Sequence, residues 1–432
     1  RIVDLDANAT PEQITSTVVR ELLTQDDEEQ IAYCGESRQA FRLRHSELHM
    51  PELPVAPGIF HENGSYLLTG GAGGLGMQVA AWLVQHGAGT LVLTTRSGDS
   101  IAARQPEIDA LRRAGANVIA IQADAADAEA MRLLFARFGP DGDLPSLHGV
   151  FHMAADVGGS PIETIDSAQV RSVFRAKVQG TLVLQELART LPLDFFVTFS
   201  STAAILGTGG LGCYAAANSF VERITALRAS EGLPFISVSW GTWQTMRLAS
   251  RETQEQYAFS GMLPMPDDAA LKWLESLLHR RDFKQPIVAN IDWATFAPLL
   301  EAKRTRSWLE LVRPQIAQQR PASILSWPVE AGESRLTSLE RAVQKEAGRV
   351  LGFRRSEVPP ANARLADMGL DSLMAVSLRN RLQKLTGCSL SPTFAFEHAT
   401  PSQMAMALDM ILWGSGVADE THARIEREEI GI

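Results

Sequence analysis

Tyr214 and Asn218 lie four residues apart in "YAAAN", at the start of an expected helix, so both side chains share one face. Ser201 ends the apolar run "DFFVTFSS", and Lys177 sits in the helical segment before that run. A tyrosine hydroxyl can give a proton to a carbonyl oxygen when a nearby ammonium lowers its pKa. A serine hydroxyl can hold the same oxygen, and an asparagine can orient the lysine or a water. These four residues suit reduction of a carbonyl by hydride.

Hydride needs a source, and "YLLTGGAGGLG" supplies a place for one. A strand precedes these glycines, a helix follows them, and a second strand comes about twenty residues on. Gly70, Gly74 and Gly76 let the backbone turn sharply and approach a pyrophosphate at the helix N-terminus. The second strand ends in "TTRSG", where an NAD binder would carry an acid. Arg96 offers a fork suited to a 2′-phosphate, which favours NADPH. Asp124, ending the third strand, is placed either to meet the adenine ring or to cap a helix.

A second kind of chemistry is written at Ser372, in "GLDSLMAVSLRNRL". One small hydroxyl follows an acid at the mouth of an amphipathic run. Serine is common at helix starts, so this one is either only a cap or the point where something is attached. The basic residues Arg379, Arg381 and Lys384 are expected on a solvated helix face.

Alternating elements must position these residues. "SYLLT", "TLVLTT", "NVIAIQA", "LHGVFHMA", "DFFVTFSS", "FISVSW" and "PIVANID" are short apolar runs, mostly separated by helical patterns. That alternation predicts an α/β, Rossmann-like doubly wound parallel sheet over residues 57–314. Residues 1–56 read strand, helix, strand, strand, with Thr10 capping a helix that begins at Pro11 and carries Gln13. Ile14, Val18 and Leu22 recur at helical spacing, and this small piece is expected to pack on a neighbour. Residues 315–334 lose periodicity and read as a linker that reaches roughly 60 Å when extended. A small all-α helical bundle follows over 335–414. Leu339, Val343, Ala347 and Val350 lie in one helix, Leu373, Val376, Leu378 and Leu382 in another, and "SQMAMALDMIL" in a third. "SLSPTFAFEHATP" reads as a loop, and 415–432 as a flexible tail or connector.

Bulk properties exclude other classes. A chain of 432 residues implies two or three domains. The net charge of -10 argues against nucleic acid. Cys34, Cys213 and Cys388 form no CxxC pair, so no metal site is expected from them. No apolar run is long enough to span a membrane, and a cytoplasmic protein is expected. The opening "RIVDLD" reads as an excerpt from something longer.

"TGGAGGLG", "TTRSG", "FSS" and "YAAAN" resemble the ketoreductase domain of modular type I polyketide synthases, a branch of the short-chain dehydrogenase/reductase family. The resemblance covers roughly residues 1–310. It implies that Lys177, Ser201, Tyr214 and Asn218 are the catalytic group. It implies a cofactor lying along Thr69, Gly70, Gly71, Gly73, Gly74, Leu75, Gly76, Arg96, Ser97, Asp124, Ala125, Ala154 and Ala155, and against Lys177 and Tyr214. It also makes residues 1–56 the tail of a truncated structural subdomain, with Trp240-Gly241 leading into a lid. His152 is then structural, and Cys213 packs. Two usual indicators of alcohol configuration are missing. Val157-Gly158-Gly159 stands where Leu-Asp-Asp is common, and Leu206 where the opposite type has Trp.

"GLDSL", within residues 335–412, resembles the attachment motif of an acyl carrier protein. That resemblance implies 4′-phosphopantetheine on Ser372, with Asp371 and apolar neighbours helping a phosphopantetheinyl transferase recognise the site. The two halves together imply NADPH-dependent reduction of a carrier-bound β-ketoacyl thioester to the β-hydroxyacyl thioester. The expected partners are that acyl chain and neighbouring synthase domains: a ketosynthase, an acyltransferase, a dehydratase or a downstream module. Two other readings stay open, an inactive reductase-like scaffold with a carrier, and a reductase of α-keto thioesters in a hybrid peptide synthetase.

Overall fold

The computed structural model describes residues 1–46, 58–245, 261–279, 285–301, 304–312, 334–353, 357–370, 372–388, 390–391 and 393–413. The lid after Gly241 (from residue 246 to 260), nearly all of the expected linker, Asp371 and the C-terminal tail lie outside these residues, as do the side chains of Ser372, Leu373 and Lys384. The chain divides into two compact units, residues 1–47, 255–261 and 291–432, and residues 48–254 and 262–290.

In the first unit, β1 (Ile2–Asp4), β2 (Gln30–Cys34) and β3 (Ser37–Ala40) form a three-stranded sheet. The expected hairpin is β2 with β3, antiparallel. The helix Pro11–Leu23 starts as its sequence predicts. Thr10 Oγ1 accepts from Gln13 N, and Gln13 Oε1 accepts from Thr10 N. Its apolar stripe is not buried, for Ile14, Val18 and Leu22 are exposed. The buried Glu21 ties the helix instead, accepting from Tyr33 Oη at 2.6 Å and pairing with Arg38 and Arg1. Those partners hold its carboxyl down at about 2, Arg38 foremost. The piece does pack on a neighbour: Trp308 Nε1 donates to Glu29 at 2.8 Å, and Leu43 N donates to Trp308 O.

The helical bundle contains helices Arg335–Val350, Ser372–Thr386 and Pro401–Trp413. Leu339, Val343, Leu378, Leu382, Met404 and Leu408 meet in its core. The segment read as a loop contains one helical turn, Phe394–Glu397. Periodicity could not show so short a helix; Phe394 and Ala395 fold inward because the core needs their apolar area. Arg379 also departs from expectation. Its guanidinium is half-buried and donates twice to Leu390 O, at 3.0 and 2.7 Å, so it pins the turn rather than facing solvent.

The second unit is built on β4 (Ser65–Thr69), β5 (Thr90–Thr95), β6 (Asn117–Gln122), β7 (Leu147–His152), β8 (Phe195–Ser201), β9 (Phe235–Trp240) and the short strand Ile287–Val288. All seven expected apolar runs are strands of one parallel sheet, ordered Ile287–Val288, β9, β8, β7, β4, β5, β6. Both faces are covered, which is why the runs are continuously apolar. The order reverses on either side of β4. A crevice opens there, beyond the carboxyl ends of β4 and β7.

Candidate active site and carrier

The crevice at that reversal is lined by Thr69, Gly70, Gly73, Gly74, Leu75 and Gly76 from the glycine-rich turn, and by Arg96, Ser97 and Ser100 after β5. Asp124 and Ala125 follow β6, and Ala154, Ala155 and Ala176 close the far side. Thr94, Thr95, Ser100, Ala123, Met153 and Ala176 were not foreseen from the sequence, because each reaches the crevice only through the register of its strand or helix. Gly71, Lys177 and Tyr214 do not line it.

The glycines are there for backbone reasons. Gly70 has φ of +70°, and a Cβ on it would stand 3.0 Å from Ala154 N. A Cβ on Gly76 would meet Gly71 O at 2.5 Å and Gly70 O at 2.6 Å. Gly71 faces the sheet, where a Cβ would reach Leu68 O at 2.7 Å, so it serves packing. The result is a bare backbone cradle at the start of helix Gly74–Gln85, which fits a dinucleotide pyrophosphate.

At the rim, the Arg96 side chain is 47% exposed and lies 3.8 Å from Asp156. That contact is too long to commit the guanidinium, so its fork is available to a phosphate. Asp156 is held by Ser172 Oγ at 2.5 Å and was not foreseen as a neighbour of Arg96. Asp124 Oδ1 accepts from Ala126 N at 2.9 Å, and Oδ2 pairs with Arg175 at 2.8 Å. The helix cap itself is Asp127.

Beside the crevice the four candidate residues come from three elements. Helix Gly212–Ser230 carries Tyr214 and Asn218 one turn apart, both buried. Asn218 Nδ2 donates to Tyr214 O at 2.8 Å, while its buried Oδ1 has no hydrogen-bond partner within the described protein. Lys177 lies in a π-helical turn, Arg175–Gln179, between two α-helices. Such bulges re-aim a side chain at functional sites. Its ammonium donates to Phe199 O on β8, two residues before Ser201. Ser201 Oγ accepts from Ala203 N at 3.2 Å and is partly exposed. Tyr214 packs with Val173, Ala203 and Ala217, and Ala155 of the crevice wall lies against this cluster.

His152 is fully buried, with Nδ1 2.6 Å from Thr69 Oγ1. Burial and then the Lys177 charge hold its pKa down at about 3, so the ring is neutral and joins β7 to β4. Sequence reading missed Glu222. It stands four residues after Asn218 on the same helix, and that repeat of the Tyr214–Asn218 spacing is the signal that could have found it. Its buried carboxylate accepts from Ser200 at 2.5 Å, Ser239 at 2.6 Å and Gln285 at 2.7 Å. The helix bearing Tyr214 is thereby fixed to the ends of β8 and β9.

Burial lowers the Lys177 pKa to about 8. At neutral pH the ammonium is still mostly protonated, and no carboxylate among the described residues forms a salt bridge with it. The folded pKa lies below the usual value for lysine. Between about pH 8 and 10.5 the unfolded chain therefore holds a proton that the folded chain has released, and stability rises with pH across that window. Lys177→Met removes the buried charge. In urea unfolding at pH 7.5 the Met variant is expected to be more stable, by on the order of 2 kcal/mol. That advantage should shrink toward pH 10. A Met variant less stable at pH 7.5 would show that the Phe199 bond already compensates the burial.

Residues 64–245 match the KR domain family. Residues 341–408 match the phosphopantetheine attachment site family. The chain joins a ketoreductase to a carrier domain of the modular polyketide synthase family. It is 33% identical to pikromycin polyketide synthase component PikAIII of Streptomyces venezuelae over 404 residues, 88% of this chain and 25% of that one. It is 32% identical to erythronolide synthase EryA2 of Saccharopolyspora erythraea over 394 residues, 87% of this chain and 10% of that one. The chain thus spans a quarter or less of these relatives. Among solved structures, an A1-type ketoreductase is 34% identical with a TM-score of 0.65, over 72% of this chain and 64% of that one. The ketoreductase fold is the doubly wound sheet described above, and the carrier domain is the helical bundle. Among the described residues of this ketoreductase and carrier, no helix is long and apolar enough to cross a membrane.

Proposed function

We propose that the ketoreductase uses NADPH to reduce the 3-ketone of an acyl thioester carried on phosphopantetheine at Ser372. One observation carries this reading: Ala155 and Ala176 wall the cofactor crevice, and the first packs on the Tyr214 cluster while the second adjoins Lys177. The nicotinamide, when bound, supplies hydride chemistry at the ketone carbon. Tyr214 gives its hydroxyl proton to the ketone oxygen. The Lys177 ammonium favours the tyrosinate left behind, through charge in a buried setting. Ser201 at the end of β8 holds the carbonyl oxygen. The unpartnered Asn218 Oδ1 is an acceptor for a water that returns the proton. Turnover of a β-ketothioester surrogate with NADPH tests the reading. No turnover would leave the scaffold alternative, and preference for an α-ketothioester would favour the peptide-synthetase type.

Arg96 sets the cofactor preference in this reading. Its side chain is half exposed, so one charge-assisted pair with a 2′-phosphate contributes about 1.4 kcal/mol, or about tenfold in affinity. Wild type is expected to bind NADPH at least about tenfold more tightly than NADH, and Arg96→Ala to lose most of that difference. Equal binding of the two cofactors by wild type would remove the assignment.

A further inference from the structure

At the opposite end of the parallel sheet from the crevice, three side chains converge that the reduction does not use. His61 precedes β4, His148 is the second residue of β7, and Asp194 immediately precedes β8. His61 Nε2 is 3.1 Å from Asp194 Oδ2, and His148 Nδ1 is 2.8 Å from the same oxygen. All three ligand atoms lie within 4.8 Å of one another, and no other such group occurs among the described residues. We infer that His61, His148 and Asp194 form a binding site for a divalent transition-metal ion of the zinc type.

Two imidazoles and one carboxylate match the donor preference of zinc and nickel rather than of magnesium or calcium. With ligand bonds of about 2.1 Å, a tetrahedral ion needs its donors about 3.4 Å apart, so small side-chain rotations admit it. The backbone already prepares the arrangement. Asp194 N donates to His148 O, and His61 N donates to Tyr66 Oη at 2.6 Å. Gly64 makes room for the rings, since a Cβ there would stand 2.7 Å from His148 Cδ2 and 3.0 Å from His61 Cβ. The rings themselves lie 4.2 Å apart. His61 and Asp194 are partly open to solvent, so water completes the coordination and the ion enters directly. Metal binding places each ring proton on the nitrogen that does not face Asp194. The ion would clamp the amino ends of three central strands, joining residues 133 apart in sequence. Sequence reading looked for cysteine pairs and could not see it, because only the parallel pairing of β4, β7 and β8 brings the three together.

The test titrates Zn2+ into untagged, chelator-treated full chain by calorimetry, with Co2+ absorption as a second readout. The expected result is one ion per chain, a tetrahedral Co2+ spectrum and a higher melting temperature with Zn2+. His61→Ala and Asp194→Asn should each weaken binding at least about tenfold. Should Asp194→Asn misfold, His61→Ala decides alone, because its ring is half exposed. Absence of binding by wild type, or equal binding by both variants, overturns the site. The free cysteines could hold zinc on their own, and that outcome is the unchanged binding by the variants. NADPH turnover plays no part in these readouts, so they stand or fall apart from the reductase reading.

Discussion

Tyr214→Phe is expected to lower turnover of a diffusible β-ketothioester by at least about 100-fold, in line with the contribution of a general acid. The substitution removes one oxygen and keeps the ring. Tyr214 is buried among Val173, Ala203 and Ala217, so a phenyl ring fills the same space and the helix Gly212–Ser230 is undisturbed. Asn218 bonds the backbone carbonyl of residue 214, a contact Phe retains. Cofactor binding should also persist, because Tyr214 does not line the crevice. The expected pattern is therefore a fall in kcat with NADPH affinity nearly unchanged and the fold retained. A Phe variant that turns over at the wild-type rate would remove Tyr214 from the chemistry. Inactive wild type with intact NADPH binding would point to the scaffold reading instead.

The sheet was legible because burial on both faces demands unbroken apolar runs, and each of the seven runs became a strand. The site was legible in its residue types but less so in its geometry. Spacing of four placed Tyr214 and Asn218 on one face. Nothing local announced that Lys177 sits in a π-helical turn or that its ammonium bonds Phe199 O. Asp156 beside Arg96, Glu222 beneath the Tyr214 helix and the His61–His148–Asp194 group are all products of strand order. Such contacts cross tens of residues of sequence, and period counting cannot reach them. The misread residues share a cause. Ile14, Val18 and Leu22 form an apolar stripe that the helix leaves exposed, while Phe394 and Arg379 turn inward to complete a small core. In small units the competition for limited buried area overrides local pattern.

Ser372→Ala is expected to abolish attachment of phosphopantetheine while leaving the reductase pocket intact. Helix Ser372–Thr386 begins at this residue, just after Gly369, whose φ of +96° turns the chain into the helix mouth. The start of a helix favours an anion such as a phosphodiester through its dipole. Incubation with a phosphopantetheinyl transferase and coenzyme A should raise the mass of wild type by one arm and leave the Ala variant unchanged. The core of the carrier is centred on Leu339, Leu378 and Met404, and alanine is the best helix former, so the variant should fold. The consequence for turnover separates tether from affinity. A carried chain meets the reductase at an effective concentration set by its linker, which can reach the millimolar range. Reduction of a carrier-bound acyl chain should vanish in the Ala variant, and reduction of a diffusible ketone should stay within about twofold of wild type. Mass gain by the Ala variant would place the arm elsewhere. Loss of activity on the diffusible ketone would mean that the carrier and the reductase are coupled by more than a tether.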